Sequence, residues 1–167
     1  MFFVSLLKHF TSSSKVNRNV QKLHFPQPDL RIRGDKDALS VWDIVRKKWV
    51  ALTPEEWVRQ HLVHYLIESR GWSQGLLAVE KPLLVNSRSR RADLVAYNNS
   101  MHPVLLAECK APEIPIDQAV LDQAVLYNRS LRVEYLLITN GLHTSCCRMT
   151  GESTEIQWLN DIPFAGR

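Results

Sequence analysis

The sequence predicts an α/β fold in which helices flank a mixed central sheet. Three observations predict it. A helix signal opens at Thr53, three apolar strand-like runs follow it, and a second helix separates those runs from a nearly all-apolar stretch at residues 133–139. A strand covered on both faces reads as such a continuous apolar run, so residues 133–139 belong in the middle of the sheet. No internal repeat and no glycine–serine linker divides the chain. Residues 22–167 are therefore read as one domain, and residues 1–21 as a disordered extension.

The extension has several readings. The first 28 residues hold no acidic residue and are rich in Ser, Lys and Arg. That loosely fits a transit peptide, and the short apolar start loosely fits a signal sequence, but no basic region precedes the apolar run and no cleavage site follows it. Translation starting further down is a third reading. Residues 38–52 mix aromatic and β-branched residues around a basic centre and read as a hairpin.

Thr53-Pro54-Glu55-Glu56 then supplies an N-cap, a proline at the first helical position and acids in the first turn. Glu56 stands where a capping box needs it. The helix is expected to reach Ser69, with the stop at Arg70-Gly71 and an apolar stripe of Val58, Leu62, Tyr65 and Leu66. His61 and His64 point away from that stripe and read as surface residues. Strands are expected at residues 76–84, 92–97 and 104–109, with Asn98-Asn99-Ser100 as a turn. Pro112 and Pro115 break the chain before a helix at residues 116–129. After the strand at 133–139, Asn140-Gly141 turns the chain into an edge strand at 144–149, and residues 155–159 offer one more.

Composition bounds the function. Apolar residues make up 45% and charged residues 23% of the 167, enough for a sizeable globular core. No apolar run approaches the roughly 20 residues of a membrane span, so no membrane partner is expected. The net charge of +4 is unevenly placed: residues 1–50 carry ten Lys and Arg against four Asp. A basic arm on a near-neutral core suits a polyanion, or is a solvated extension. Three cysteines without framework spacing suggest a reducing, cytoplasmic setting. A zinc site at His143, Cys146 and Cys147 lacks a fourth ligand at usual spacing.

The chemistry gathers in polar residues set into apolar strands. Asp93 lies in RRADLVAY, Glu108 and Lys110 in PVLLAECKAP, and Gln123 and Tyr127 in DQAVLYN. A carboxylate inside an apolar strand costs several kcal/mol unless a metal, a charge or hydrogen bonds compensate it. Glu108 and Lys110, two apart, share a strand face. The ammonium can orient or deprotonate an attacking water, or offset charge on a pentavalent phosphate. Two carboxylates and a lysine at strand ends are the parts of a divalent-metal phosphodiesterase site, and hard oxygen ligands suit Mg²⁺ or Mn²⁺. The Cys109 carbonyl is a further candidate ligand. Glu55 either completes the carboxylate cluster or simply pairs with Arg59 four residues on, and Glu56 is the alternative. Asp93 either binds metal or pairs with Arg90 or Arg91. Those arginines, with Arg88, also suit phosphate contacts at the mouth of a pocket. Gln123 and Tyr127 share a helix face.

This ordered set resembles the PD-(D/E)xK nuclease superfamily, and within it the N-terminal nuclease domain of type I restriction enzyme R subunits in a small stand-alone form. LTPEEWVRQ, AECKAP, DQAVLYN and LLITNG carry the resemblance, which covers about residues 22–150. It implies a restriction-endonuclease-like αβββαβ core and Mg²⁺-dependent cleavage of DNA. It also implies Asp93, Glu108 and Lys110 as the central triad, with Gln123 and Tyr127 as the accessory Q-x-x-x-Y motif. Ala92 stands where that motif usually has proline. Full-length R subunits carry a helicase motor, whereas this sequence has no G-x-x-x-x-G-K-[ST] phosphate loop, so translocation-coupled cleavage is not expected of the chain alone. A helicase or specificity subunit is then a partner in trans. A non-cleaving nucleic-acid-binding module is the alternative from another class. There is no H-E-x-x-H either.

Overall fold

The structure, a computed structural model, describes residues 21–35, 38–85, 87–150 and 155–166. The expected disordered extension, apart from Gln21, lies outside them. Strands β1 (Ile32–Arg33), β2 (Ser40–Asp43) and β3 (Lys48–Ala51) form a small antiparallel sheet. The hairpin expected at 38–52 is β2–β3. Strand β1 escapes sequence reading because two residues carry no periodicity.

Helix α1 spans Pro54–Arg70. Thr53 Oγ1 accepts the Glu56 amide at 3.1 Å, and Gly71 closes the helix at φ 72°, a left-handed conformation that glycine adopts without a side-chain penalty. The capping box is only half made. The Glu56 carboxylate turns to two arginines instead, which compensate a buried charge better than one amide does. His61 and His64 are buried rather than exposed. The small sheet and residues 21–25 also touch α1: Gln60 bonds Asp43, Trp57 bonds the Gln21 carbonyl, and Phe25 packs on Tyr65. His61 stacks on Trp57 and bonds its carbonyl.

The main sheet runs in the order β4 (Leu77–Val85), β5 (Arg88–Tyr97), β6 (Pro103–Cys109), β7 (Tyr135–Thr139), β8 (Thr144–Thr150), β9 (Glu155–Leu159). Only β6 and β7 pair in parallel. Parallel neighbours need a crossover, and α2 (Gln118–Leu131) supplies it. Alternating side chains sort to opposite faces. Leu94, Ala96, Leu105, Ala107 and Leu137 pack with Val58, Leu62 and Leu66 of α1. Val95, Leu106 and Leu136 pack with Tyr127, and Ile138 packs with Val120 and Ala124, all on α2. One helix thus covers each face, and α1–β4–β5–β6–α2–β7 is the αβββαβ core of a restriction-endonuclease-like fold.

Strand β7 is central and buried throughout. Strand β8 is not an edge, because β9 pairs along it; its short polar sequence hides its inner position. Adjacent Cys146 and Cys147 join the cores on opposite sheet faces. Strand β5 begins four residues earlier than expected, and α2 begins two residues later, after Asp117 caps it through the Val120 amide at 3.1 Å. Beyond β7, Asn140 Oδ1 accepts the Leu142 and His143 amides. Gly141 sits at φ 81°, where an added Cβ would lie 2.7 Å from Leu23. Its carbonyl accepts the His24 amide at 2.7 Å, which pins residues 21–25 to the sheet. No described helix is long and apolar enough to cross a membrane.

Candidate active site

The site lies where β5 parts from β6. The two pair as Val95↔Leu106 and Leu94↔Ala107, and the next step would set Asp93 opposite Glu108. The ladder stops there. Asp93 Oδ2 instead accepts the Cys109 amide at 2.7 Å, so a side chain replaces a strand. The β4–β5 ribbon also changes face at this point. Leu77 packs on the α1 side and Leu83 and Val85 on the α2 side, although all three are odd-numbered. The swap falls at Glu80, whose φ of 51° is strained for a non-glycine residue. Glu80 and Asp93 are skipped between the pairs Val79↔Leu94 and Lys81↔Ala92. This local twist turns Asp93 out of the alternation and toward the end of β6.

Glu108 and Lys110 are held together there. Lys110 Nζ donates to Glu108 Oε1 at 2.9 Å and to Gln123 Oε1 at 3.4 Å. Gln123 Nε2 donates to the same Glu108 oxygen and lies 3.2 Å from the Tyr127 hydroxyl. The structure therefore brings Glu108, Lys110, Gln123 and Tyr127 into one contact chain between β6 and α2. Glu108 Oε2 is buried without a hydrogen-bond partner. Burial first, then the nearby Asp93 charge, pushes the Glu108 carboxyl up to about 7, and Lys110 only partly offsets this. Burial pulls the Lys110 ammonium down, but Glu108 more than reverses it, so Lys110 stays charged. A charged lysine fits orienting a water or offsetting phosphate charge. The Cys109 side chain packs on the α1 side, where burial drives its thiol well above the usual range. Only its backbone is available to the site.

Arg59 is the residue sequence reasoning undervalued. Expected only as a partner of Glu55, it is buried and binds Glu55 at 2.6 Å, Asp93 at 2.9 Å, and Glu56. Asp93 pairs with this arginine and not with Arg90 or Arg91. Burial pulls the Arg59 guanidinium down, and Asp93, Glu56 and Glu55 more than reverse it. Glu56 also accepts from Arg46 at 2.5 Å and Gln60 at 2.8 Å, so both its oxygens are used and it is structural. Arg46 continues to Asp43 and to Glu80 at 2.8 Å. One ionic chain therefore ties the β2–β3 turn to the twisted residue opposite Asp93. Its sequence trace is the i,i+3 and i,i+4 spacing of Asp43/Arg46, Glu56/Arg59 and Glu55/Arg59. Glu55 sits at the rim with 44% of its side chain exposed; burial and Asp93 raise its carboxyl, against Arg59 and Lys110. Arg91 lies 3.7 Å from Glu80. Arg88 and Arg90 are exposed and have no ion-pair partner among the described residues.

Among the described residues, no three His, Cys, Asp or Glu side chains are arranged to hold a metal ion. Mg²⁺ does not require three, because it keeps several waters and is held by one or two carboxylates. The unpartnered Glu108 Oε2, facing a second carboxylate that raises its proton affinity, fits a hard divalent cation. Asp93 and Glu108 would hold it, with Glu55 and the Cys109 carbonyl as further oxygens.

No curated protein matches the chain. A solved structure, described as a fragment of an HsdR subunit of a type I restriction enzyme from Vibrio vulnificus YJ016, matches at 21% sequence identity with a TM-score of 0.44. The match covers 61% of this chain and 22% of that one, so this chain spans about a fifth of that structure. The family model described as type I restriction enzyme R protein N terminus (HSDR_N) matches residues 54–163, from the first residue of α1 to just past β9. The match takes in every candidate site residue, and the chain belongs to that family.

Proposed function

We propose that this domain is a Mg²⁺-dependent DNA nuclease of the PD-(D/E)xK type that hydrolyses phosphodiester bonds, as an endonuclease. Mn²⁺ serves in place of Mg²⁺. The observation that carries the reading is the convergence of Lys110 and Gln123 on one oxygen of Glu108 while the other stays buried and unpartnered, beside Asp93 at the strand fork. A divalent cation on Asp93 and Glu108 supplies charge neutralisation at the scissile phosphate and a more acidic bound water. The chain's own residues do the rest. Gln123, steadied by Tyr127, fixes the Glu108 rotamer. Arg59 and the Cys109 amide fix Asp93. Lys110, 20% exposed at its side chain, presents an ammonium to the attacking water or to a phosphate oxygen, where developing negative charge is stabilised. Arg88 and Arg90 stand free to meet the backbone phosphates of DNA. The setting is cytoplasmic.

One observation favours a second reading, a nuclease subunit that works only with a helicase or specificity partner. Each Asp93 oxygen already accepts a hydrogen bond, one of them from Arg59, so in the isolated chain a cation on Asp93 meets the Arg59 charge. Incubation of the full chain with plasmid and single-stranded DNA tests both readings. Cleavage with Mg²⁺ or Mn²⁺ that EDTA abolishes is the expected result. Intact DNA under all metal conditions, including after addition of partner subunits, would remove the nuclease assignment.

A further inference from the structure

The outer face of the small sheet holds a feature the cleavage site does not use. Val41 is fully buried and Asp43 points inward to Gln60, so Trp42 and, across the pair, Trp49 project from the opposite face. The Trp42 amide bonds the Arg31 carbonyl at 2.9 Å, which sets Arg31, Trp42 and Trp49 in one row across the three strands. Arg33, Ser40 and Ala51 form the next row. The two indoles meet edge to face at 5.6 Å. The Arg31 guanidinium lies 4.9 Å from the Trp42 ring and Arg33 lies 4.1 Å from Trp49. None of these six residues is acidic. Neither arginine has an ion-pair partner among the described residues, whereas Arg46, on the adjoining turn, has three. Exposed Lys47 and Lys48 add charge beside the face.

We propose that this face is a nucleic-acid contact surface, in which Arg31 and Arg33 bind backbone phosphates and the tryptophans hold the guanidiniums flat and accept a stacked base. The inference rests on the reading of the domain as DNA-directed. Charge complementarity selects the occupant: unpaired guanidiniums stacked on aromatic rings keep their outward N–H groups free for phosphate, and aromatic platforms with cations are how single strands are held without sequence preference. The hairpin that carries the face is tied to the ionic chain of the domain, since Arg46 in its turn binds Glu56 and Glu80.

The test is fluorescence anisotropy of labelled single-stranded and duplex DNA with the full chain in EDTA, over a salt series. Arg31→Gln with Arg33→Gln is expected to weaken binding about tenfold and to lower the slope of log affinity against log salt by about 1–2, as loss of two phosphate contacts does. Ser40→Glu removes no contact and puts a carboxylate in the middle of the face. It is expected to weaken binding similarly, so the result stands even if the double variant is unfolded by circular dichroism. Unchanged affinity and slope in a folded double variant or in Ser40→Glu would overturn the proposal. Equal binding of polyglutamate of matched charge would also overturn it, in favour of an acidic protein partner. DNA binding in EDTA that these variants weaken, by a chain that never cleaves, keeps this proposal and removes only the nuclease reading. Cleavage with binding indifferent to the variants does the reverse.

Discussion

Arg59→Leu is expected to destabilise the fold by about 3–5 kcal/mol, the scale of removing one partner from a buried ion cluster. The loss of packing is small, since leucine fills much of the same space. The cost comes from Glu56 and Asp93, at 6% and 14% side-chain exposure, which lose the shared guanidinium. Arg59→Lys is expected to recover only part of it, because one ammonium cannot bridge three carboxylates as a planar fork does. Glu55→Gln is the contrast. Its side chain is 44% exposed, and the change is expected to cost less than about 1 kcal/mol. Urea unfolding of the four proteins reads all three differences. If Arg59→Leu unfolds at the wild-type midpoint, the ionic chain from Asp43 to Asp93 is not a structural strut.

Glu108→Gln is expected to produce the opposite pairing of effects. The amide keeps the size and the bonds to Lys110 and Gln123 but removes the charge at the buried oxygen that has no partner. Calorimetric Mn²⁺ binding should be lost, and cleavage should fall at least about 100-fold, as when one group that stabilises transition-state charge is removed. The melting temperature should hold or rise, because a neutral amide is cheaper to bury than a carboxylate. Retained Mn²⁺ affinity would place the metal elsewhere, and a large drop in melting temperature would make Glu108 a structural residue.

The sequence made the core of the site legible because its signals are local. Glu108 and Lys110 share a face by strand alternation, Gln123 and Tyr127 share one by helix spacing, and one crossover brings the two pairs together. The order of α1, β4, β5, β6, α2 and β7 was legible from caps, turns and apolar runs for the same reason. What stayed hidden depends on contacts distant in sequence. Arg59 looks like an ordinary i,i+4 partner until Asp93, 34 residues on, meets it. His61 and His64 look exposed in the helical pattern, yet both are buried, His61 against Trp57. The face change at Glu80 and Asp93 breaks the alternation on which strand reading relies. The Trp42/Trp49 platform needs the register of three short strands, and β8 needs β9 beside it before it ceases to be an edge.

The most direct test of the proposed cleavage site is single-turnover DNA cleavage at saturating Mn²⁺ by the wild type beside Lys110→Ala. Lys110 is partly exposed, and its removal leaves Glu108 bound to Gln123, so the fold and the metal ligands should persist. The account predicts metal-dependent cleavage by the wild type and a rate about 100-fold or more lower in the variant, with DNA affinity nearly unchanged. Equal rates in the two proteins would contradict it, because the chemistry would then lie away from the fork between β5 and β6.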